Sequence, residues 1–315
     1  MKNVTLRQLK VFEAVARHLS FSRAAEELHL TQPAVSMQVQ ALEEQAGSPL
    51  FEQVGKKVFL TMAGEELVIH ARRIAQQLRE ADEALAAIRG VKGGRLTIGV
   101  VSTAKYFAPR LLADFRKLHP EVELRLGVHN RDTVVRQLAD NLIDMAIMGS
   151  PPRDFETVAE AFADHPLVFI AAPDHPLAAK KKIAPASIAT ETFLIREPGS
   201  GTRSAMERFF SEREIITPST LEMGSNETVK QAVMAGLGIS FISEHAIGLE
   251  VSVGRLVRLD VVGTPVMRAW HVVHRAEKRM LPPAEAFREF LLAEGAGRVA
   301  EIAGVPAKGG KAKSG

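Results

Sequence analysis

The sequence predicts three short helices closed by a two-stranded hairpin, then one long helix, then a two-lobed α/β domain. Three observations carry this. Amphipathic helix patterns with capping signals fill residues 1–60, an uninterrupted apolar repeat runs through 61–90, and strands alternate with helices from 93 to about 295. A chain of 315 residues exceeds what one hydrophobic core usually organises, so two or three compact units are expected. Its composition, 46% hydrophobic and 24% charged with a formal net charge of +3, is that of an ordinary, mildly basic globular protein. The absence of cysteine excludes disulfides, thiolate metal sites and cysteine nucleophiles, and suits a reducing cytosol. The opening MKNVTLRQLKVFEAVARHLS has no apolar h-region, and no long apolar run follows. Neither a signal peptide nor a membrane span is expected, and a cytoplasmic location is.

In the first unit, Leu6, Leu9, Phe12 and Ala16 form the apolar stripe of a first helix. Ser20 or Ser22 can cap a second helix carrying Ala24, Ala25 and Leu28, and His29-Leu30 makes a tight turn. Thr31 offers a capping hydroxyl to a third helix, with Pro33 in the first turn, where a missing N–H costs nothing. That helix has two faces: Val35, Val39, Leu42 and Ala46 point inward, and Pro33, Ser36, Met37 and Gln40 outward. After Gly47, SPLFEQVGKKVFLT reads as two strands around Gly55-Lys56-Lys57, a basic wing. The outward face fits a major groove, because short side chains let the backbone approach. Gln can pair with adenine, Ser can bond either strand, and apolar atoms can meet thymine methyls. A solvated helical bundle fits the same pattern. Residues 1–60 carry seven Lys/Arg and six Asp/Glu, so phosphate binding needs segregated charge, with Arg23, Lys56 and Lys57 the candidates.

The stretch LRQLKVFEAVARHLSFSRAAEELHLTQPAVSMQVQALEEQAGSPLF, above all its core AAEELHLTQPAVS, resembles the DNA-binding segment of LysR-type transcriptional regulators. The resemblance implies a winged helix-turn-helix touching double-stranded DNA through Gln32, Pro33, Ala34, Ser36 and Met37 and through the wing. With Arg23, Thr31, Gln40, Lys56 and Lys57 these residues make up the expected DNA face. The sequence departs from many members at Met37, where they carry Arg, and at Gln53, where they carry a basic residue. Fewer charge-assisted contacts imply a shifted operator preference or weaker non-specific binding.

Along the long helix, Leu67, Ile74, Ala81 and Ile88 are seven apart, and Ala71, Leu78 and Leu85 fall four later. This is an a/d heptad pattern; a helix packed on its own unit is the alternative. The heptad reading makes Leu67, Ala71, Ile74, Leu78 and Leu85 a dimer seam. The resemblance agrees, implying a homodimer or homotetramer that reads an inverted repeat.

From Gly93 the texture changes. RLTIGVV, VELRLGV and DMAIM read as strands of a first lobe, interleaved with helices in 102–120 and 133–142. PLVFIAA, TFLI, LEM and GISFIS read as strands of a second lobe, with helices SAMERFFSERE and TVKQAVMAG. VMRAWHVVHR returns to the first, which places lobe I at about 93–162 and 268–295, lobe II at 163–267, and a disordered tail at 296–315. Such a doubly wound α/β pair resembles the periplasmic-binding-protein-like (type 2) effector domain of the same family. Ligands of open α/β sheets sit beyond the carboxyl ends of strands. Those ends give Ser102, Thr103 and Lys105; Asn130 and Arg131; Gly149; Glu197, Gly199, Ser200, Gly201, Thr202 and Arg203; and Asn226. The segment REPGSGTR can converge backbone N–H groups on a phosphate or carboxylate, or can be a simple helix-capping loop. It lacks the Walker spacing, so no nucleotide-hydrolysing loop is expected. Lys105, Arg131 and Arg203 are the candidate anion-pairing charges.

STAKYFAPRLLADFRKLHP, REPGSGTR and LEMGSNETVKQAVMAGLGISFIS further resemble the CbbR group of that family, regulators of Calvin–Benson CO2-fixation operons including that of RuBisCO. The resemblance spans roughly residues 1–295. It implies an activator working with RNA polymerase and answering to a small anionic effector, a phosphorylated metabolite or NADPH. A LysR-type regulator of a different metabolic operon is the alternative. An enzyme is not expected. No HExxH or GxSxG is present, and His271 and His274 lie on a strand without metal-ligand spacing. His119, His165 and His175 each precede proline, which suggests turns. No cofactor, metal or membrane partner is expected.

Overall fold

The computed structural model describes residues 1, 3–55, 57–88, 93–216 and 219–303. The chain forms two compact units, Met1–Val91 with Asp140–Leu142, and Lys92–Ala139 with Ile143–Gly315.

The N-terminal unit comprises α1 (Leu6–His18), α2 (Phe21–Leu28), α3 (Gln32–Ala46), β1 (Phe51–Val54), β2 (Lys57–Leu60) and α4 (Met62–Ile88). Each short helix starts on a hydroxyl. Thr5 and Gln8 form a reciprocal capping box, the Ser20 hydroxyl accepts from the Arg23 N–H, and that of Thr31 from the Ala34 N–H. A cap of this kind contributes about 1 kcal/mol. Of the two serines expected to cap α2, Ser20 does so. Leu19, His29 and Gly47 end the three helices in the left-handed region, the turn that lets α2 and α3 cross. Leu9, Phe12, Val15, Val35, Val39 and Leu42 are buried, whereas Leu6, expected on the same stripe, is exposed. The hairpin is antiparallel, from Phe51 opposite Leu60 to Val54 opposite Lys57. Lys56 lies outside the described residues.

α4 begins where the Thr61 hydroxyl accepts from the Gly64 N–H and donates to the Pro49 carbonyl. A Cβ at Gly64 would fall 2.0 Å from the Leu50 carbonyl oxygen, so only glycine lets the helix approach this closely. Consequently the first turns of α4 join the N-terminal core: Leu67, Val68 and Ala71 pack with Leu9, Phe12, Leu42 and Leu50. This corrects the expected seam. Leu67 and Ala71 serve their own unit, while Ile74, Leu78 and Leu85, 39%, 43% and 54% exposed, remain uncovered. Nothing is described of the Ile88 side chain.

The C-terminal unit runs β3 (Gly94–Val101), α5 (Ala108–Leu118), β4 (Val122–His129), α6 (Arg131–Ala139), β5 (Met145–Met148), β6 (Thr157–Ala171), α7 (Pro185–Ile188), β7 (Thr192–Arg196), α8 (Gly201–Ser211), β8 (Ser219–Met223), α9 (Asn226–Met234), β9 (Ser240–Ser243), α10 (Gly248–Ser252), β10 (Val257–Arg258), β11 (Val266–Arg275) and α11 (Pro282–Ala303). In lobe I, β3 pairs in parallel with β4 and β5, and β11 runs antiparallel between β5 and β6. In lobe II, β6 continues between β9 and β10, and β7 pairs in parallel with β8. Lobe I is filled by Ile98, Phe107, Phe115, Trp270 and Phe287. Lobe II has one cluster around Phe169, Phe193, Phe209 and Phe241 and a second around Ile170, Val229, Val233 and Ile242.

Two expectations are corrected here. The strand expected to start at Pro166 begins at Thr157, so His165 lies inside β6, not in a turn. From Thr157 to Pro166 the strand pairs with β11 alone among the described residues, so the missing Pro166 N–H faces no second ladder there and costs little. The second correction concerns the tail. Residues 296–303, expected to be disordered, continue α11, because Val299 is buried in the lobe I core; residues 304–315 lie outside the described residues. No helix among the described residues is long and apolar enough to cross a membrane.

Candidate functional site

Two surfaces have the makings of a site. On the N-terminal unit, α3 presents Gln32, Pro33, Met37 and Gln40 to solvent, with Ala34 and Ser36 half-buried beneath them. Met37 is 69% exposed. Gln32 Nε2 donates to Ser36 Oγ at 3.2 Å, which orients the amide along the helix. Thr31 is spent as the cap, while Arg23 and Lys57 are exposed. Behind this face Arg17 and His18 of α1 grip Glu27 of α2 at 2.7 and 2.6 Å. The arginine and histidine bonds hold the Glu27 carboxyl down to about 2.

On the C-terminal unit a cleft opens between the lobes. Its floor is a cavity of about 20 Å³ bordered by Ser102 and Thr103 after β3, Gly149 and Ser150 after β5, Ser200, Gly201 and Thr202 at the start of α8, and Arg131, His165 and Arg268. A second cavity, of about 800 Å³, shares Arg131, Ser150, Gly201 and Arg268 with it and adds Gly199 and Arg208. Arg131 Nε donates to the Ser150 carbonyl at 3.2 Å, and Arg268 Nη2 to that of Gly149 at 2.8 Å. Burial, followed by the like charges of Arg208 and Arg131, lowers the proton affinity of the Arg268 guanidinium. Neither Arg208 nor Arg268 forms an ion pair with a carboxylate among the described residues. Five arginines (Arg131, Arg153, Arg208, Arg213 and Arg268) border the larger cavity against three carboxylates, Asp132, Asp154 and Glu212. This positive excess beside a helix N-terminus makes a field that favours an anion.

The remaining residues expected at the cleft do other work. Glu197 takes two hydrogen bonds of 2.7 Å from Arg196. Asn226, also held by Arg196, is 1% exposed. Asn130 accepts from the Thr133 N–H and caps α6. Lys105 pairs with Glu227 at 3.6 Å. Arg203 is clamped by Glu207 and Glu222, both at 2.8 Å. None of these five borders either cavity. The cleft positions expected of Lys105 and Arg203 are therefore corrected: Lys105 is paired with Glu227 of α9 in the other lobe, and Arg203 with Glu207 and Glu222. Arg268 and Arg208 border the larger cavity instead, and His165 with Arg268 the smaller one. An arginine inside the apolar strand VMRAWHVV was the legible signal for Arg268; for Arg208, on an ordinary amphipathic helix, there was none.

A winged three-helix unit followed by a two-lobed cleft domain defines a class, DNA-reading regulators that carry their own small-molecule sensor. The chain belongs to the LysR family: the bacterial regulatory helix-turn-helix of lysR type matches residues 6–65, and the LysR substrate binding domain residues 89–296. It is a transcriptional regulator of that family. It is 56% identical over 294 residues to the RuBisCO operon transcriptional regulator of Allochromatium vinosum, covering 93% of this chain and 97% of that one. It is 51% identical over 288 residues to the regulator CbbR of Rhodospirillum rubrum, covering 91% and 96%. Among solved structures it resembles the Synechocystis CcmR regulatory domain in complex with 2-PG, with 38% identity and a TM-score of 0.62 over 64% of this chain and 96% of that one. It also resembles full-length CbnR complexed with target DNA, with 26% identity and a TM-score of 0.68 over 91% and 98%.

Proposed function

We propose that the chain controls CO2-fixation genes, the RuBisCO operon among them, by binding an inverted-repeat promoter site as a dimer or tetramer and recruiting RNA polymerase in response to a small phosphorylated anion. Relatives 56% and 48% identical are named RuBisCO operon transcriptional regulators, and the related CcmR regulatory domain is in complex with 2-PG. The observation that carries the effector reading is the convergence of Arg131, Arg208 and Arg268 on the cavity beside the N-terminus of α8. The body of the ligand lies in the 800 Å³ cavity. Its anionic end turns to the floor, where the Ser102, Thr103 and Thr202 side chains and the first N–H groups of α8 can donate. Occupancy shifts the balance between lobe arrangements, and α4 passes the shift to the spacing of paired α3 helices and so to DNA bending. On the DNA side α3 supplies base contacts and the wing supplies backbone contacts.

Calorimetry with 2-phosphoglycolate, ribulose-1,5-bisphosphate and NADPH tests the cleft. At least one is expected to bind the wild type, and Arg268→Ala to weaken it ten- to a hundredfold, since a charge-assisted bond contributes about 1.5–3 kcal/mol. Equal binding by the variant, or binding of none of them, contradicts the assignment.

A further inference from the structure

His165 borders the cavity floor with both ring nitrogens unspent. The side chain is 4% exposed, and neither Nδ1 nor Nε2 has a hydrogen-bond partner. Buried imidazoles are ordinarily bonded through at least one nitrogen. The ring borders the cavity floor with Gly149, Thr202 and Arg268. A Cβ on Gly149 would fall 2.5 Å from Nδ1, so the glycine is what makes room for the ring at the strand end. His165 also stands where the lobes join. It lies opposite Arg268 in the β6–β11 register and stacks on Trp270 at 3.8 Å. Trp270 in turn donates to His245 of lobe II.

We propose that His165 is an anion-contacting residue of this cleft, donating as an imidazolium to a phosphoryl or carboxylate oxygen of the effector. The proposal rests on the effector reading of the cleft and adds the residue and the proton. The groups facing the ring are Arg268 and His271 on β11, His245 after β9 and Arg131 on α6, with Asp164 its neighbour on β6. Burial first, then His245, Arg268 and His271, keep the free ring neutral. An arriving anion supplies the missing counter-charge, so one proton is taken from solvent as the effector binds. The sign follows. Affinity is highest at low pH and falls as pH rises through the ring's value in the complex, by about tenfold per pH unit over the linked range.

Calorimetry of 2-phosphoglycolate binding to the full chain, at one pH in two buffers of different ionisation enthalpy, counts the proton. The wild type is expected to take up close to one more proton than His165→Gln, and the variant to bind at least tenfold more weakly with a flatter pH dependence. Wild-type binding with no proton uptake overturns the proposal however the variant folds. Unchanged affinity and proton count in His165→Gln overturn it too, and if Arg268→Ala still loses binding, the effector reading stands without it. If neither variant differs from the wild type, both readings fall.

Discussion

Arg196 Nη2 in lobe II donates to Ser102 Oγ in lobe I at 3.2 Å, closing one side of the cleft. The same guanidinium holds Glu197 through two bonds and Asn226 through another. Removing it strands a carboxylate and an amide, whereas removing the Ser102 hydroxyl loses one bond. Arg196→Ala is therefore expected to cost about 3–5 kcal/mol and Ser102→Ala about 1 kcal/mol. Urea unfolding followed by the fluorescence of the single tryptophan, Trp270, separates the two. Equal costs would refute the hub role of Arg196.

Tyr106 donates to Glu227 at 2.7 Å across the same opening. Burial, and then that bond, raise its phenol well above the ordinary value. Since Tyr106 is the only tyrosine, absorbance at 295 nm reads one site. No phenolate is expected near pH 10, the value of a free phenol, until the domain unfolds. Tyr106→Phe should remove the alkaline signal entirely.

Burial lowers the His245 imidazole to about 4. Above the unfolded value, about 6.5, neither state holds the proton and the stability is full. Below it the unfolded chain binds a proton that the folded chain refuses, so stability falls until the ring protonates near 4. Between pH 7 and pH 5 the wild type is expected to lose roughly 2 kcal/mol more than His245→Gln. Parallel losses in urea melts at the two pH values would show that the ring is not protected.

The three exposed apolar side chains Ile74, Leu78 and Leu85 are the part of the heptad left for a partner. Ile74→Asp with Leu78→Asp is expected to abolish dimers in sedimentation and operator binding with them. Since neither side chain serves the core of its own unit, the helix content should survive. A double variant that remains dimeric would place the seam elsewhere.

Local chemistry made the helices legible: hydroxyl caps, Pro33 and alternating apolar faces are decided within a few residues. The heptad could be seen but not apportioned, because a 3.5-residue spacing looks alike whether it meets a partner or the chain's own α1. Leu67 and Ala71 went to α1 because Gly64 lets α4 close on Leu50. Strand ends located one rim of the cleft, Ser102, Thr103, Gly149 and Thr202. They could not tell a free arginine from a neutralised one. Arg203 is clamped by Glu222, nineteen residues away, whereas no carboxylate among the described residues pairs with Arg268, which donates to the Gly149 carbonyl. Ion pairing of that range is set by tertiary structure. The misplacement of His165 has the same origin. Its proline suits a turn locally, and only the one-sided pairing of β6 admits it to a strand.

DNase I footprinting of the DNA upstream of the chain's own gene, with wild type and with Gln32→Glu plus Ser36→Glu, bears most directly on promoter reading through α3. The wild type is expected to protect an inverted repeat, with a footprint that changes on adding 2-phosphoglycolate. The double variant, folded by circular dichroism, should lose protection. An identical footprint from both proteins would contradict the reading of α3 as the helix that meets base edges.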